Sequence, residues 1–275
     1  MRVEREEILR RLRANMAAGV PIIGTGAGTG ISAKFEEVGG SDLIIIYNSG
    51  KYRMAGRGSA SGLLAFGDAN KIVMEMADEI LPVVDHTPVL AGVNGSDPFK
   101  NMKRFLKEIK EVGFSGIQNF PSIGGFDGRI RAEFEQTGLG FEKEVEMVSM
   151  ARELDLFTSP YAWDTEEAAA MAKAGADVLV AHVGCTVGGS IGMTSTHSLE
   201  DAVKIVQEIR DAAVEVNPDI IVLCQGGAIA TPADAQYVMQ NTTGISGYYG
   251  ASSIERLPVE RAIRQQVEDF KKIRF

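Results

Sequence analysis

The stretch from Ile220 to Pro258 reads IIVLCQGGAIATPADAQYVMQNTTGISGYYGASSIERLP, and its punctuation decides the fold. An apolar run, Ile220 to Cys224, stops at Gln225-Gly226-Gly227. Thr231-Pro232 then opens a helix, because threonine caps free amides and proline fits the first helical position. A second apolar run, Ile245 to Tyr249, stops at Gly250-Ala251-Ser252-Ser253. A short turn at Ile254-Glu255-Arg256 precedes the last helix, which begins at Pro258. Strand, glycines, helix, strand, glycines and an extra helical turn is how the last two units of a (β/α)8 barrel build a phosphate site. The expectation is that backbone amides of Gly226, Gly227, Gly250, Ala251, Ser252 and Ser253 hold an anion.

Outward from this stretch, six more short apolar runs can be marked, at Val20–Gly24, Leu43–Tyr47, Pro88–Val93, Ser115–Asn119, Phe157–Pro160 and Val178–His182. Segments of helical period separate nearly all of them. All-apolar strands alternating with helices mean a parallel sheet, and eight units favour a closed barrel over an open one. The expected architecture is therefore an α/β (β/α)8 TIM barrel in one domain, residues 20–275, preceded by an amphipathic helix in residues 1–19 that carries Ile8, Leu12 and Met16 on one face.

With a net charge of -9, the chain argues against nucleic-acid and anionic-membrane partners. Its two cysteines, Cys185 and Cys224, form neither a disulfide framework nor a zinc pattern. With no signal-type or membrane-spanning run, a cytoplasmic setting is expected. The glycine run at residues 24–30, GTGAGTG, fits no G-x-G-x-x-G register, and no P-loop occurs. It reads as a turn that lets substrate or a neighbouring loop come close, so nicotinamide is not expected, and neither is flavin. A lysine Schiff base, and with it PLP, is disfavoured because no strand ends in lysine.

Two connections are long, and both follow strands. Asn48 to Gly67 carries Lys51, Arg53 and Arg57 without an acid until Asp68, which suggests a substrate clamp. Phe120 to Gly140 has mixed charge and is the segment expected at a homo-oligomer contact. The strand ends offer Asn48, Asn94, Asp97, Gln118, Asn119, Tyr161, Trp163, His182 and Gln225, a set rich in amides and poor in carboxylates. His182 is the candidate proton carrier. Asn94 and Gln118 are the candidates for polarising a carbonyl or enolate. The implied partner is a small anionic metabolite.

Several motifs together resemble the phosphoenolpyruvate-hydrolase-like family: GTGAGTGISA, IIIYNSGKYRMAGRGS, GVNGSDPF, QNFPSIGGFDGRIRAEFEQTGLGF, EVEMVSMA, AHVGCTVGGSIG and GYYGASSIERLPVE. The same domain forms the C-terminal part of a plant tobamovirus-resistance protein, whose other domain has no counterpart expected here. The fold resembles the phosphoenolpyruvate mutase and isocitrate lyase group, which works on small phosphorylated or carboxylated acids with magnesium. The resemblance thus implies an enzyme on a phosphoenolpyruvate-like acid, by hydrolysis, phosphomutase or C–C lyase chemistry. Asp97 is the best-placed magnesium ligand, ahead of Asp127 and Glu255, although the dense acidic cluster of that group is missing. A barrel that senses a phosphometabolite without turning it over is the alternative.

Overall fold

The computed structural model describes residues 2–275. In chain order the elements are α1 (Arg5–Ala17), β1 (Ile22–Ala27), α2 (Gly30–Val38), β2 (Leu43–Ile46), α3 (Asn48–Met54), α4 (Ala69–Ile80), β3 (Val89–Val93), α5 (Met102–Val112), β4 (Gly116–Asn119), α6 (Gly128–Gln136) and α7 (Glu142–Glu153). They continue as β5 (Phe157–Thr158), β6 (Tyr161–Ala162), α8 (Thr165–Lys173), β7 (Val178–His182), α9 (Leu199–Val216), β8 (Ile221–Gln225), α10 (Pro232–Gln240), β9 (Gly247–Gly250) and α11 (Leu257–Phe270). All pairings are parallel, in the order β5-β4-β3-β2-β1-β9-β8-β7-β6. The two ends of that order, β5 and β6, are successive pieces of one chain segment broken at Ser159-Pro160. The Ser159 amide still donates to Ile117 and the Pro160 carbonyl accepts from Val180, at 3.0 and 2.8 Å. This segment therefore joins β4 to β7 and closes the sheet into a TIM barrel of eight staves.

The core explains the closure. Ile22, Leu43, Ile45, Leu90, Phe157 and Leu223 fill the barrel, while separate apolar layers lie between the strands and the outer helices. Helix α1 caps the bottom by burying Ile8 and Leu12 against the barrel interior. Arg5 locks it there through a bidentate contact to Asp177, at 2.7–3.0 Å. Met16, expected on the same face, is 42% exposed instead, because the helix is near its end and the chain turns away at Gly19.

The first strand runs Ile22–Ala27, where the apolar run predicts Val20–Gly24. Glycine is a weak strand former, so the run reads as ending there. It continues because bulk from the adjacent strand β9 fills the glycine positions: a Cβ on Gly24 would enter the Tyr249 ring, and one on Gly26 would lie 2.7 Å from the Ala251 Cβ. Gly28 lies equally close to the Gly50 backbone. The glycine run thus admits a neighbouring strand and loop. Both long connections also contain helix: α3 and a 3-10 turn at Ser59–Leu63 in one, and a turn at Ile123–Gly125 with α6 in the other. Among the described residues, no helix is long and apolar enough to cross a membrane.

Candidate functional site

At the C-terminal end of the barrel the strand ends converge on an inner cavity of about 180 Å³. Tyr47, Tyr161, His182 and Gln225 come from the ends of β2, β6, β7 and β8, with Ser252 just past β9. Ser49 at the start of α3 and Ser59 on the following turn add hydroxyls, and Trp163, Cys185 and Thr186 complete the wall.

His182 is held by aromatic rings: Tyr161 edge-on at 4.9 Å and Trp163 tilted at 4.7 Å between centroids. Burial pushes its pKa down to about 4, so the ring is neutral at pH 7. The Gly184 amide donates to Nδ1 at 3.1 Å, which places the ring proton on Nε2. A neutral imidazole with Nε2–H donates a hydrogen bond and is a poor base. Beside it, the Tyr161 hydroxyl and the Gln225 side-chain oxygen are buried without a partner. Burial also lifts the Tyr161 phenol well above its ordinary value, keeping it a donor. Unpartnered buried polar groups are costly, and two residues that line this cavity, Tyr161 and Gln225, carry them.

The expected site residues divide. Ala251 and Ser252 line the inner cavity, where a π-helical turn, Ser252–Arg256, runs directly into α11. The first amides of such a run have no partner within the helix. Gly226 and Gly227 do something else. Their φ angles are +87° and +55°, the Gly227 amide is already spent on the Gly184 carbonyl at 2.8 Å, and a Cβ on Gly226 would strike that same oxygen. These two glycines pack the β8 loop onto the β7 loop. Gly250 is crowded by Ser253 and Tyr248, and the Ser253 hydroxyl pairs with that of Tyr248 at 2.7 Å.

The three cations are not at the inner cavity. Arg53 is fully buried, with Nη2 and Nε on a Glu255 carboxylate oxygen at 2.6 and 2.9 Å and Nη2 also on the Gly26 carbonyl at 2.8 Å. Glu255 in turn accepts the Gly28 amide at 2.6 Å, so the pair ties β1, α3 and the π-helical turn together. Lys51 is exposed and meets Glu75 at 3.4 Å, while Arg57 is exposed on the bend after α3. Gln118 is fully buried, its amide nitrogen donating to the Ser159 carbonyl at 2.7 Å. Cys185 faces the cavity as a thiol, since burial raises its pKa.

Asn94 and Asp97 line a second, outer cavity of about 490 Å³ beside the first. Asp97 is held there by Asn70 at 3.0 Å and by the Phe99 amide at 2.9 Å. The described residues contain no group of three or more His, Cys, Asp and Glu side chains placed to hold a metal. Magnesium wants one or two carboxylates together with ligand oxygens. No carboxylate lines the inner cavity, so its donor set does not fit the ion; the outer cavity has two, Asp97 and Asp68, and Asp68 is engaged in capping α4 through the Lys71 amide at 2.9 Å.

Tyr47, Ser49, Ser59 and Thr186 escape the sequence reading. The first two adjoin Asn48 at a strand end, a position that the barrel rule flags, whereas Ser59 and Thr186 arrive through loops. Glu144 on α7 escapes it as well. It accepts from Asn119, Ser122 and the Ile123 amide at 2.6–2.7 Å, and Asn119 in turn accepts the Tyr161 amide at 2.6 Å. Burial outweighs those donors and pushes the carboxyl up to about 8. The folded state therefore holds this proton more tightly than the unfolded chain does. Its contribution to stability is complete below about pH 4.5 and is lost as pH rises through about 8. Urea midpoints of the natural protein, taken relative to Glu144→Gln, should fall between pH 5 and 8.5; parallel curves would refute a buried protonated Glu144.

Known proteins share this sequence and this fold. A family model described as phosphoenolpyruvate hydrolase-like matches residues 7–273. The ToMV susceptible protein tm-1(GCR26) of Solanum lycopersicum is 58% identical over 266 residues, covering 97% of this chain and 35% of that protein. The ToMV resistance protein Tm-1(GCR237) from the same plant is 57% identical, covering 98% and 36%. The chain thus spans about a third of the length of these relatives. Among solved structures, a phosphoenolpyruvate phosphomutase from Streptomyces platensis subsp. rosaceus aligns with a TM-score of 0.60 at 17% identity, covering 96% of this chain and 87% of that one. A phosphonopyruvate hydrolase in complex with oxalate and Mg++ aligns at 0.59 and 17%, with the same coverage. At such identity the likeness is one of fold.

Proposed function

We infer that this chain, which belongs to the phosphoenolpyruvate hydrolase-like family, is an enzyme that binds a small carboxylic acid in the inner cavity and stabilises an enolate or carbonyl oxyanion with neutral donors. One observation carries the reading: a neutral His182 with its proton on Nε2, the Gln225 amide and the hydroxyls of Ser49, Ser59, Thr186 and Ser252 belong to residues that line the same strand-end cavity. Donors fixed in place before charge develops are what oxyanion stabilisation requires. Hydrolysis of an enol phosphate, phosphoryl migration and C–C cleavage beside a carbonyl all generate such an oxygen, so the site suits the chemistry that these reactions share. Ser252, at the amide end of the π-helical turn and α11, supports the acid's carboxylate.

The phosphorylated version of this acid needs a cation at the phosphate, and no lysine or arginine among the described residues lines the inner cavity. Arg57, on its exposed bend, is the residue that would supply it. Magnesium has no ligand set at the inner cavity in this reading, and Asn94 and Asp97 belong to the outer one. A sensing role draws on the same donors and on the scarcity of bases; turnover of a bound acid separates it from catalysis.

Thermal shift with oxalate, pyruvate and phosphoenolpyruvate tests the proposal. A ligand at a hundred times its Kd should add about 2.7 kcal/mol of stability. Tyr161→Phe and His182→Gln should each weaken oxalate about ten- to a hundredfold, as expected for losing a hydrogen bond to a charged group. Magnesium should leave the oxalate shift unchanged, and an increase abolished by Asp97→Asn would restore the metal. If no acid raises the melting temperature, the reading is wrong.

The partner we propose is a second copy of the chain, with the contact moved from residues 120–140, which wall the outer cavity, to α11 and α2.

A further inference from the structure

We propose that the outer cavity is a second compartment of the same site, taking an apolar acyl or aryl substituent of the acid whose head sits in the inner cavity; this rests on the small-acid reading above. The inner cavity, about 180 Å³, accommodates the reacting head, and the outer, about 490 Å³, is far larger than such a head needs. Among the described residues, Leu63 is the one that lines both.

The partition is a side chain carried on a firmly seated turn. A Cβ on Gly62 would lie 2.7 Å from the Ser49 Cβ and 3.1 Å from the Phe120 ring, so the backbone of that turn already presses on α3 and on the residue after β4. Leu63 projects from there toward Gly125. A leucine that changes rotamer opens a passage without moving the backbone.

The far wall is apolar. Phe126 and Phe134 pack edge to face at 5.4 Å, with Ile123 and Leu139 beside them. Leu64 is 56% exposed and Phe99 95% exposed at the rim. Large apolar side chains gathered around a concavity gain most when an apolar group fills it. Polarity fixes the direction. Asp68 and Asp97 stand on the outer wall against a single cation, Lys100, so its net charge is negative and disfavours an acid's head, whereas the inner cavity is lined by neutral groups. The acid therefore lies head inward and tail outward.

The test is calorimetric titration of the 275-residue protein with pyruvate, 2-oxohexanoate and phenylpyruvate. Affinity should rise along the series, with phenylpyruvate about ten- to a hundredfold tighter than pyruvate, the gain expected for burying an apolar ring. Phe126→Ala should remove that gain and leave pyruvate unchanged; Phe134→Leu, a milder change, should reduce it. Pyruvate that binds while affinity stays flat or falls with size overturns the outer compartment alone, as does a gain that survives in both variants. Failure of every acid, pyruvate included, overturns the small-acid reading and this inference with it.

Discussion

Arg53→Met should cost about 3–5 kcal/mol of folding stability, a large share of what holds an ordinary domain together. Both side chains of the Arg53–Glu255 pair are completely buried, and the closest N–O distance is 2.6 Å. Removing one partner leaves an uncompensated charge in the interior, which is far worse than having neither. Methionine keeps much of the arginine's volume, so the loss reports charge and hydrogen bonds more than packing. The damage should spread beyond the pair, because Glu255 also holds the Gly28 amide and Arg53 also holds the Gly26 carbonyl. Urea denaturation checks this. Arg53→Met combined with Glu255→Met should recover most of the loss, since a buried pair replaced by apolar groups is often neutral or better. A near-neutral single variant would mean that the guanidinium is free to leave and to serve as the clamp that its place in a cationic loop suggests.

That contrast shows what the sequence could and could not disclose. The barrel was legible because buried parallel strands are short apolar runs, and because the long segments between them leave room for crossover helices. The stave at 157–162 was cut short at Pro160 because proline normally ends a ladder, yet here its carbonyl still accepts from Val180. Helices α3 and α6 were hidden by their setting, since glycines flank each of them and six charged residues are spread along the two. His182 and Ser252 stood out by their positions at strand ends. Arg53 and Gly227 are engaged elsewhere for a common reason: their partners are remote in sequence. Arg53 meets Glu255 across 202 positions, and the Gly227 amide meets a carbonyl on the loop after β7. Local spacing reveals a cation or a glycine turn, but a distant partner decides whether its charge or amide remains available.

The second large effect concerns assembly. Ile263→Glu together with Val267→Glu should convert a dimer into a monomer of half the mass in sedimentation experiments. Helix α11 spans 14 residues, yet only Leu257 of them is buried. Its residues Val259, Ile263, Val267 and Phe270 recur at helical spacing and form one apolar stripe, with Ile263, Val267 and Phe270 each 57–65% exposed. Beside it, α2 exposes Ile31 at 69% and Phe35 at 62%, and the groove between the two helices reaches down to Ile23 on β1. In a (β/α)8 barrel the final helix normally covers the strands that close the sheet. Here the helix lacks a surface and that surface lacks a helix. Both belong to the same chain, so a two-fold exchange, α11 of each copy on α2 of the other, satisfies both at once. The groove also holds Glu36, whose Oε1 is buried without a donor, and burial raises its carboxyl to about 7. A partner's polar side chain would complete that hydrogen bond. Phe35→Glu, on the receiving face, should dissociate the dimer as the α11 variant does, with circular dichroism confirming that each subunit stays folded. A natural protein that is monomeric at micromolar concentration, or a dimer that survives both sets of substitutions, would assign the stripe to some other occupant.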